Sequence, residues 1–103
     1  TYEKVVEKMC NNPANLYNVE RRGYIRPRYW ADIVIVDPDC DYEISNDDVI
    51  STCGWTPYAG TRLNFRVEQT WVNGSLAYDS RPANPADRFS CNVSSLPVRF
   101  NPF

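Results

Sequence analysis

Residues 33–36, Ile-Val-Ile-Val, constrain the fold of this chain more than any other segment. They are four β-branched residues in a row, followed directly by the turn-forming sequence Asp37-Pro38-Asp39. A continuous apolar run of this length is typical of a strand covered on both faces, because a strand with one wet face alternates apolar and polar residues. We therefore expect residues 33–36 to form the most buried strand of the protein.

The composition indicates a soluble, globular protein of one small domain. The chain has 103 residues, of which 43% are hydrophobic and 14% aromatic, and its mean hydropathy is −0.52. These values argue against disorder, and no apolar run is long enough to span a membrane. The sequence begins at Thr1 without a methionine, within a helical pattern, and its N-terminal end shows neither the basic nor the apolar region of a secretory signal. We therefore expect a cytoplasmic segment of a longer chain.

The charge pattern argues against nucleic acid as a partner. Eleven basic and thirteen acidic residues give a formal charge of −2, without a block of one sign that could follow a phosphate backbone. The densest basic cluster consists of Arg21, Arg22, Arg26 and Arg28. Because acidic residues flank this cluster on both sides, we interpret it as a solvated face without a function.

The first 22 residues predict two helices separated by a break. Apolar residues recur at helical spacing, and Thr1 is placed to cap the first helix. Asn12 and Pro13 are expected to end that helix and to begin a short second one, because Pro is favoured at the first helical position. Gly23 is expected to end the helical unit. The apolar residues of the first helix are Tyr2, Val5, Val6, Met9 and Cys10.

The remaining residues predict mainly β structure. Residues 24–26 form a short strand candidate, and Ser45 precedes a capped helical turn over residues 46–48. Residues 62–72 alternate as one half-buried strand, with Leu63, Phe65, Val67 and Trp71 on one face. Asn73-Gly74 predicts a type I′ turn to a returning strand at residues 76–78. The segment after Tyr78 contains four prolines and is expected to be irregular, with one short strand at residues 98–100.

The four cysteines, Cys10, Cys40, Cys53 and Cys91, match no zinc or redox spacing. Two disulfides in any of three pairings remain open. The absence of a secretory signal favours reduced and partly buried thiols.

Five motifs, in this order, resemble the C-terminal end of a dihydroorotase-type cyclic amidohydrolase. In dihydroorotases, hydantoinases and allantoinases, the last barrel helix runs into an Asn-Pro-Ala turn. The chain then crosses to a β-sandwich through a Gly-x-Ile segment and an Ala-Asp-Ile/Leu-Val strand. Dihydroorotases also have Cys-Gly-Trp-Ser-Pro-Phe-Glu-Gly and a strand ending in Val-Asn-Gly. The corresponding residues here are 12–14, 23–25, 31–37, 53–60 and 72–74, with Arg28 in place of a usual turn glycine and Ala59 in place of a usual glutamate.

The resemblance implies an α+β, mainly β, fold built from parts of two domains. Residues 1–22 would be the terminal helical segment of a barrel, residues 23–80 a partial β-sandwich, and residues 81–103 an irregular tail. In this family a (β/α)8 barrel holds one or two divalent metals, usually zinc, through histidines, a carboxylated lysine and an aspartate. This chain contains no histidine, so we expect no catalytic, cofactor-binding or metal-binding residue in it.

Three candidate sites inside the chain have simpler structural interpretations. Asp37, Asp39 and Asp41 begin like a calcium loop but lack its glycine and its terminal glutamate, which favours a strand exit lined with acids. Trp55 is expected to anchor its turn by packing into the core. Cys53 has no histidine available to activate it as a nucleophile.

The sequence thus predicts the non-catalytic C-terminal part of a dihydroorotase-like enzyme. The parent reaction would be the reversible hydrolysis of dihydroorotate to N-carbamoyl-aspartate in pyrimidine biosynthesis. The expected partners are the barrel and the N-terminal sandwich strands, within an oligomer, so an open strand edge and apolar patches should be exposed. The alternatives are a free-standing β-rich module that binds a protein partner and a small secreted disulfide protein.

Overall fold

The computed structural model of the protein describes residues 1–90, 93 and 96–102. The architecture is α+β and mainly β. The first helix comprises α1 (Tyr2–Val6), a π-helical segment (Glu7–Asn11) and α2 (Asn12–Leu16). The strands are β1 (Ile33–Asp37), β2 (Tyr42–Glu43), β3 (Arg62–Leu63), β4 (Arg66–Val72) and β5 (Ser75–Asp79). Short 3₁₀ turns occupy Asn46–Asp48 and Pro85–Arg88.

The predicted break at Asn12 and Pro13 is wrong, because the backbone is helical from Tyr2 to Leu16. The N–H of Asn12 donates to the carbonyl of Glu7, five residues earlier, as in a π-helix. The next residue, Pro13, has no N–H to donate. The wider π turn therefore comes directly before Pro13. The helix continues through Pro13 although this residue donates no backbone hydrogen bond.

The helix ends at Leu16, so the prediction that Gly23 ends the helical unit is also wrong. Asn18 takes the left-handed conformation, with φ of 54°. The N–H of Val19 donates to Ala14 over 2.9 Å, and that of Asn18 donates to Asn15 over 3.3 Å. This pair of bonds is a Schellman motif, in which Asn replaces the more usual glycine.

Gly23 instead brings the chain back against the helix. Its φ is +83°, and a Cβ atom at this position would lie 2.3 Å from Ala14 Cβ and 2.8 Å from the carbonyl oxygen of Cys10. The side chain of Asn11 donates to the Gly23 carbonyl over 2.6 Å. Ala14 is the only buried residue among those that the structure describes. The closest packing of the protein is therefore between Gly23 and the helix.

The predicted short strand at residues 24–26 does not form. The Tyr29 N–H donates to the Arg26 carbonyl over 3.1 Å and closes a turn, with Pro27 at its second position. Arg28 follows with φ of 66°, which is the geometry of the third residue of a type II turn. Arg28 thus occupies the conformation that glycine adopts most easily.

The main sheet is antiparallel, with β4 between β1 and β5. Val72 pairs with Ser75 across the two-residue turn of Asn73 and Gly74, whose φ values are 51° and 80°. Positive φ at both positions is characteristic of a type I′ turn. The predicted hairpin is therefore confirmed.

The prediction of one alternating strand over residues 62–72 is wrong in two respects. β3 pairs with β2 in a separate two-stranded sheet, so the segment is interrupted before β4 begins. The register of β1 against β4 also shifts, because Ile35 pairs with Gln69 whereas Val36 pairs with Val67. This bulge places Val67 opposite Val36 and Trp71 opposite Ile33. Since Ile33 and Val36 point to opposite faces of β1, Val67 and Trp71 do not share a face.

The expectation that residues 33–36 form the most buried strand is wrong within this chain. Val34 is 56% exposed, and both Ile35 and Val36 are also classed as exposed. No strand in the described part of the chain pairs with the second edge of β1. The apolar run is present, but the elements that would cover it are not among the described residues.

The tail turns back to the segment that follows the helix rather than forming the predicted strand at residues 98–100. One isolated bridge joins Val19 and Phe100, and the Glu20 N–H donates to the Arg99 carbonyl over 2.8 Å. A second isolated bridge joins Tyr78 and Phe89 and covers part of the outer edge of β5. These contacts attach the tail at two points without creating a core.

The surface and dimensions of the protein agree with this sparse packing. The accessible surface is 8166 Å², whereas a folded monomer of 11.9 kDa exposes about 6,000 Å². The radius of gyration is 15.8 Å, compared with about 13 Å for a compact chain of this length. The chain therefore buries less of its surface than a compact domain of this size.

We predict that Gly23→Ala destabilises the fold by about 3 kcal/mol, because the new methyl group must displace Ala14 or the Cys10 carbonyl in addition to opposing a positive φ. Gly60→Ala is the matched control, since Gly60 has φ of 82° but no atom within 4 Å of its Cβ position. The control should cost only about 1 kcal/mol. Urea denaturation followed by circular dichroism measures both changes. Equal losses would show that Gly23 is needed only for its backbone angle.

Candidate functional site

Asp32 joins the segment after the helix to the turn of the β hairpin. One carboxylate oxygen accepts from the backbone N–H of Asn73 over 2.8 Å, and the other accepts from the guanidinium of Arg22. The neighbouring carbonyl of Ala31 accepts from the N–H of Gly74 over 3.1 Å. The Ala-Asp and Asn-Gly motifs therefore contact each other, although 41 positions separate Asp32 from Asn73.

Arg22 contributes to this junction from the other side. Its side chain is only 13% exposed, and its guanidinium lies 5.6 Å from the centroid of the Trp30 ring. A partly buried arginine needs both a charged partner and a favourable surface for its flat face, and Asp32 and Trp30 supply them. The interpretation of the arginine cluster as a solvated face is therefore wrong for Arg22. The sequence signal for this pair was an acid directly before an apolar strand and a nearby arginine.

The loop over residues 53–60 is held by hydrogen bonds at its middle and at its end, and it exposes its aromatic residues. Asn46 accepts from the N–H of Thr56 over 3.0 Å, and the N–H of Gly60 donates to the Ile44 carbonyl over 2.8 Å. Asn46 is itself positioned by the predicted capped turn, which is confirmed: Ser45 accepts from Asp47, and Asp48 accepts from the N–H of Ser45.

The ring of Trp55 does not pack into a core within this chain. Trp55 is 61% exposed, and Tyr58 in the same loop is exposed as well. The prediction of an anchored ring is therefore wrong for the chain by itself. An ordered loop that presents a tryptophan and a tyrosine is typical of a contact surface, since these residues dominate binding energies.

Cys53 begins this loop as an exposed thiol. A hydrogen bond with the hydroxyl of Ser51, 3.3 Å away, is the main cause that lowers the pKa of Cys53, and backbone groups of the loop contribute further. Cys10 is exposed, Cys40 is half-buried, and all three of these thiols are free. The prediction of partly buried, reduced thiols thus holds for Cys40 and fails in burial for Cys10 and Cys53. Cys91 lies outside the described residues.

The acidic residues form no metal site in the described ranges 1–90, 93 and 96–102. Asp37 ends β1 and accepts from the N–H of Asp39 over 3.0 Å, while Asp41 lies 3.4 Å from the guanidinium of Arg62. These contacts agree with a strand exit lined with acids. Together with the absence of histidine from the sequence, they do not fit the zinc site that the resemblance implies for the parent enzyme.

The pKa values of Asp79 and Tyr42 are also shifted, with structural causes. The pKa of Asp79 lies well below its usual range because the side chain of Arg81 donates hydrogen bonds to the carboxylate. Burial raises the pKa of Tyr42, and a hydrogen bond with Asp48 raises it further. Asp79 therefore stays ionised and Tyr42 stays protonated at neutral pH, so neither group is poised for proton transfer.

Apolar side chains form two exposed surfaces. The first lies on the helix, where Met9 is 73% exposed and Tyr2, Val5 and Val6 are also exposed. The second is β1 with its unpaired edge. The expected open edge and apolar patches are therefore confirmed. In the part of the chain that the structure describes, no helix combines the length and the apolar character needed to cross a bilayer.

Comparison with known proteins gives consistent matches. The sequence model of the amidohydrolase family matches residues 1–77. Dihydroorotase from Halobacterium salinarum is 37% identical over 87 residues, which are 84% of this chain and 20% of that protein. Dihydroorotase from Clostridium acetobutylicum is 37% identical over 81 residues, covering 79% of this chain and 19% of that protein. Allantoinase from Salmonella paratyphi B is 30% identical over 84 residues, which are 79% of this chain and 18% of that protein. The chain spans about a fifth of the length of these relatives.

We predict that Asp32→Ala lowers the free energy of unfolding by about 2 kcal/mol, because it leaves Arg22 without its partner and Asn73 without its acceptor. Asp41→Ala is the control, since its ion pair with Arg62 is exposed on both sides and should contribute less than about 0.5 kcal/mol. Asp32→Asn, which keeps an acceptor for Asn73, should fall between them. Urea denaturation of the three variants measures this order, and equal effects of the two alanine variants would contradict the role of Asp32.

We also predict that Ser51→Ala slows the alkylation of Cys53 by iodoacetamide at pH 7.5. The thiol of Cys53 is exposed, and the hydrogen bond with Ser51 that lowers its pKa raises its thiolate fraction. The alkylation rate of Cys10, another exposed thiol, is the internal control and should not change. Peptide mapping by mass spectrometry measures the two rates, and an unchanged Cys53 rate in this variant would exclude Ser51 as the cause.

Proposed function

The chain belongs to the amidohydrolase family, and from this premise we propose that it is the non-catalytic C-terminal part of a dihydroorotase-like cyclic amidohydrolase. The parent enzyme would catalyse the reversible hydrolysis of the cyclic amide of dihydroorotate to N-carbamoyl-aspartate, a step of pyrimidine biosynthesis. The role of this chain would be to complete and support the catalytic barrel.

One observation carries the proposal: the chain has the secondary structure of a folded domain but not its buried interior. Only Ala14 is buried among the described residues, while the helix and β1 expose their apolar side chains. Exposed apolar surface of this extent marks an interaction site, because its burial against another surface is favourable. The covering surface would be the remainder of the amidohydrolase.

Each exposed apolar surface corresponds to one expected partner. The side chains of Tyr2, Val5, Val6 and Met9 would pack against the barrel wall. The free edge and the bare faces of β1 would receive the N-terminal strands of the sandwich. Covering β1 in this way would restore the environment that its unbroken β-branched sequence predicts.

The chemistry of the reaction would come from outside this chain. In the parent enzyme, zinc would activate water for attack on the cyclic amide carbon. The chain itself has no histidine, and its described acids form no ligand cluster. No step of the reaction is therefore derived for its residues, and their contribution would be mechanical support of the barrel.

A free-standing module that binds a protein partner is the second candidate function. The ordered loop with exposed Trp55 and Tyr58 favours it, because such a loop could bind a partner without any barrel. A monodisperse monomer that melts cooperatively would support this candidate over the first.

We predict that the isolated chain with added zinc produces no N-carbamoyl-aspartate from dihydroorotate above the buffer rate. Activity should appear when the chain replaces the matching segment of Clostridium acetobutylicum dihydroorotase. Met9→Asp in this chimera should reduce the yield of active enzyme, because it would place a charge against the barrel wall. Lys8→Asp is the matched control on the same helix.

Turnover by the isolated chain would refute the non-catalytic role. A soluble chimera without activity, in which the Met9 and Lys8 variants behave alike, would argue against support of the barrel.

A further inference from the structure

The charged residues divide between two parts of the sequence. No lysine or arginine occurs between Arg28 and Arg62, whereas six acids lie between Val36 and Val49. By contrast, the segment from Arg21 to Arg28 has four arginines and no acid. The acids of the first segment are Asp37, Asp39, Asp41, Glu43, Asp47 and Asp48.

The sheet separates these two groups. β1 begins next to Asp32, where Arg22 binds, and ends at Asp37, where the acidic segment starts. Its five residues span about 13 Å at about 3.3 Å per residue. The Arg22–Asp32 pair therefore lies at one end of the main sheet, and the acidic segment leaves from the other end. At that acidic end Arg62 pairs with Asp41 and Glu43, and Arg66 lies opposite Asp37, so Asp39 and Asp47 are the acids available to a partner.

The acidic end also carries the exposed aromatic residues. The hydrogen bond from Thr56 to Asn46 joins the loop over residues 53–60 to the capped turn that contains Asp47 and Asp48. Trp55 and Tyr58 are thus presented beside acids. Within the described residues, neither Asp39 nor Asp47 forms an ion pair.

The basic end has a cleft that suits an aromatic ring and an acid. The guanidinium of Arg26 lies 4.0 Å from the centroid of Tyr24 and 5.8 Å from that of Tyr29. These residues line a cleft of about 340 Å³. Across the described ranges, Arg26 and Arg28 have no acidic partner within ion-pair distance. An aromatic ring from another molecule could add to these cation–π contacts at the mouth of the cleft.

We propose that the acidic end of one copy of this chain docks on the basic end of a second copy. Trp55 or Tyr58 would enter the cleft beside Arg26, while Asp39 and Asp47 would approach Arg26 and Arg28. The contact is head to tail, so each copy keeps one free end and further copies can add to form a ring or a chain. This proposal does not depend on the catalytic barrel, because both docking surfaces lie within these residues.

Sedimentation velocity of the 103-residue chain tests the proposal. Association should weaken at least about tenfold when sodium chloride is raised from about 50 mM to about 500 mM, because salt screens exposed charges. The double variants Arg26→Glu/Arg28→Glu and Asp39→Lys/Asp47→Lys should each lose self-association at low salt. Mixing the two variants should restore a complex between them, since each then supplies the surface that the other has lost.

Lys8→Glu, which reverses a charge on the helix, is the control and should leave association unchanged. Circular dichroism of each variant checks that it folds, and recovery in the mixture is itself evidence of folded partners. The proposal is overturned if both double variants associate like the wild type, if association does not respond to salt, or if the mixture stays monomeric. Salt-independent association would assign the contact to the apolar helix face or the edge of β1.

Discussion

The arrangement of this chain depends on the carboxylate of Asp32. One oxygen binds the N–H of Asn73 and the other binds Arg22, so a single side chain joins the segment after the helix to the β hairpin. Because β1 begins at the next residue, the position of Asp32 also sets where Ile33 lies against Trp71 in β4. The hairpin could form by itself, but its orientation toward the helix requires this junction. A charged hydrogen bond of this kind is directional, whereas apolar contacts alone would allow several arrangements.

The second attachment, at Gly23, explains how so little apolar packing can position the helix. A side chain at Gly23 would collide with Ala14 and Cys10, so the backbone approaches the helix more closely than any other residue type permits. Asn11 then binds the Gly23 carbonyl from the helix side. Two polar attachments and one close backbone contact thus orient the elements, while most apolar surface stays available. This division of roles suits a segment that must be ordered enough to present an interface and whose burial is completed by another surface.

The features that could be predicted from the sequence are those determined by neighbouring residues. Asn73-Gly74 specifies its turn because both residues tolerate positive φ, and Ser45 caps its turn with atoms only two and three positions away. The bulge in β4 could not be predicted, because it depends on how β1 aligns with that strand, and it moved Val67 to the face opposite Trp71. The exposure of Val34 and Trp55 was missed for a related reason. Apolar residues such as these are usually buried, but the sequence of one segment does not identify the surface that buries them.

The left-handed arginines connect the geometry of the crossover with its charge. Arg21 and Arg28 have φ values of 52° and 66°, and each costs about 1 kcal/mol relative to glycine in the same conformation. Glycine would relieve this strain, and at Arg28 a glycine is what the resemblance leads one to expect. Arg28 occupies the third position of a type II turn, so the turn carries a positive charge that glycine would not supply. Folding alone would favour glycine at these positions. A strained arginine is therefore more consistent with a contact that its charged side chain makes. At the basic end of the sheet, arginine would therefore favour binding, whereas glycine would favour stability.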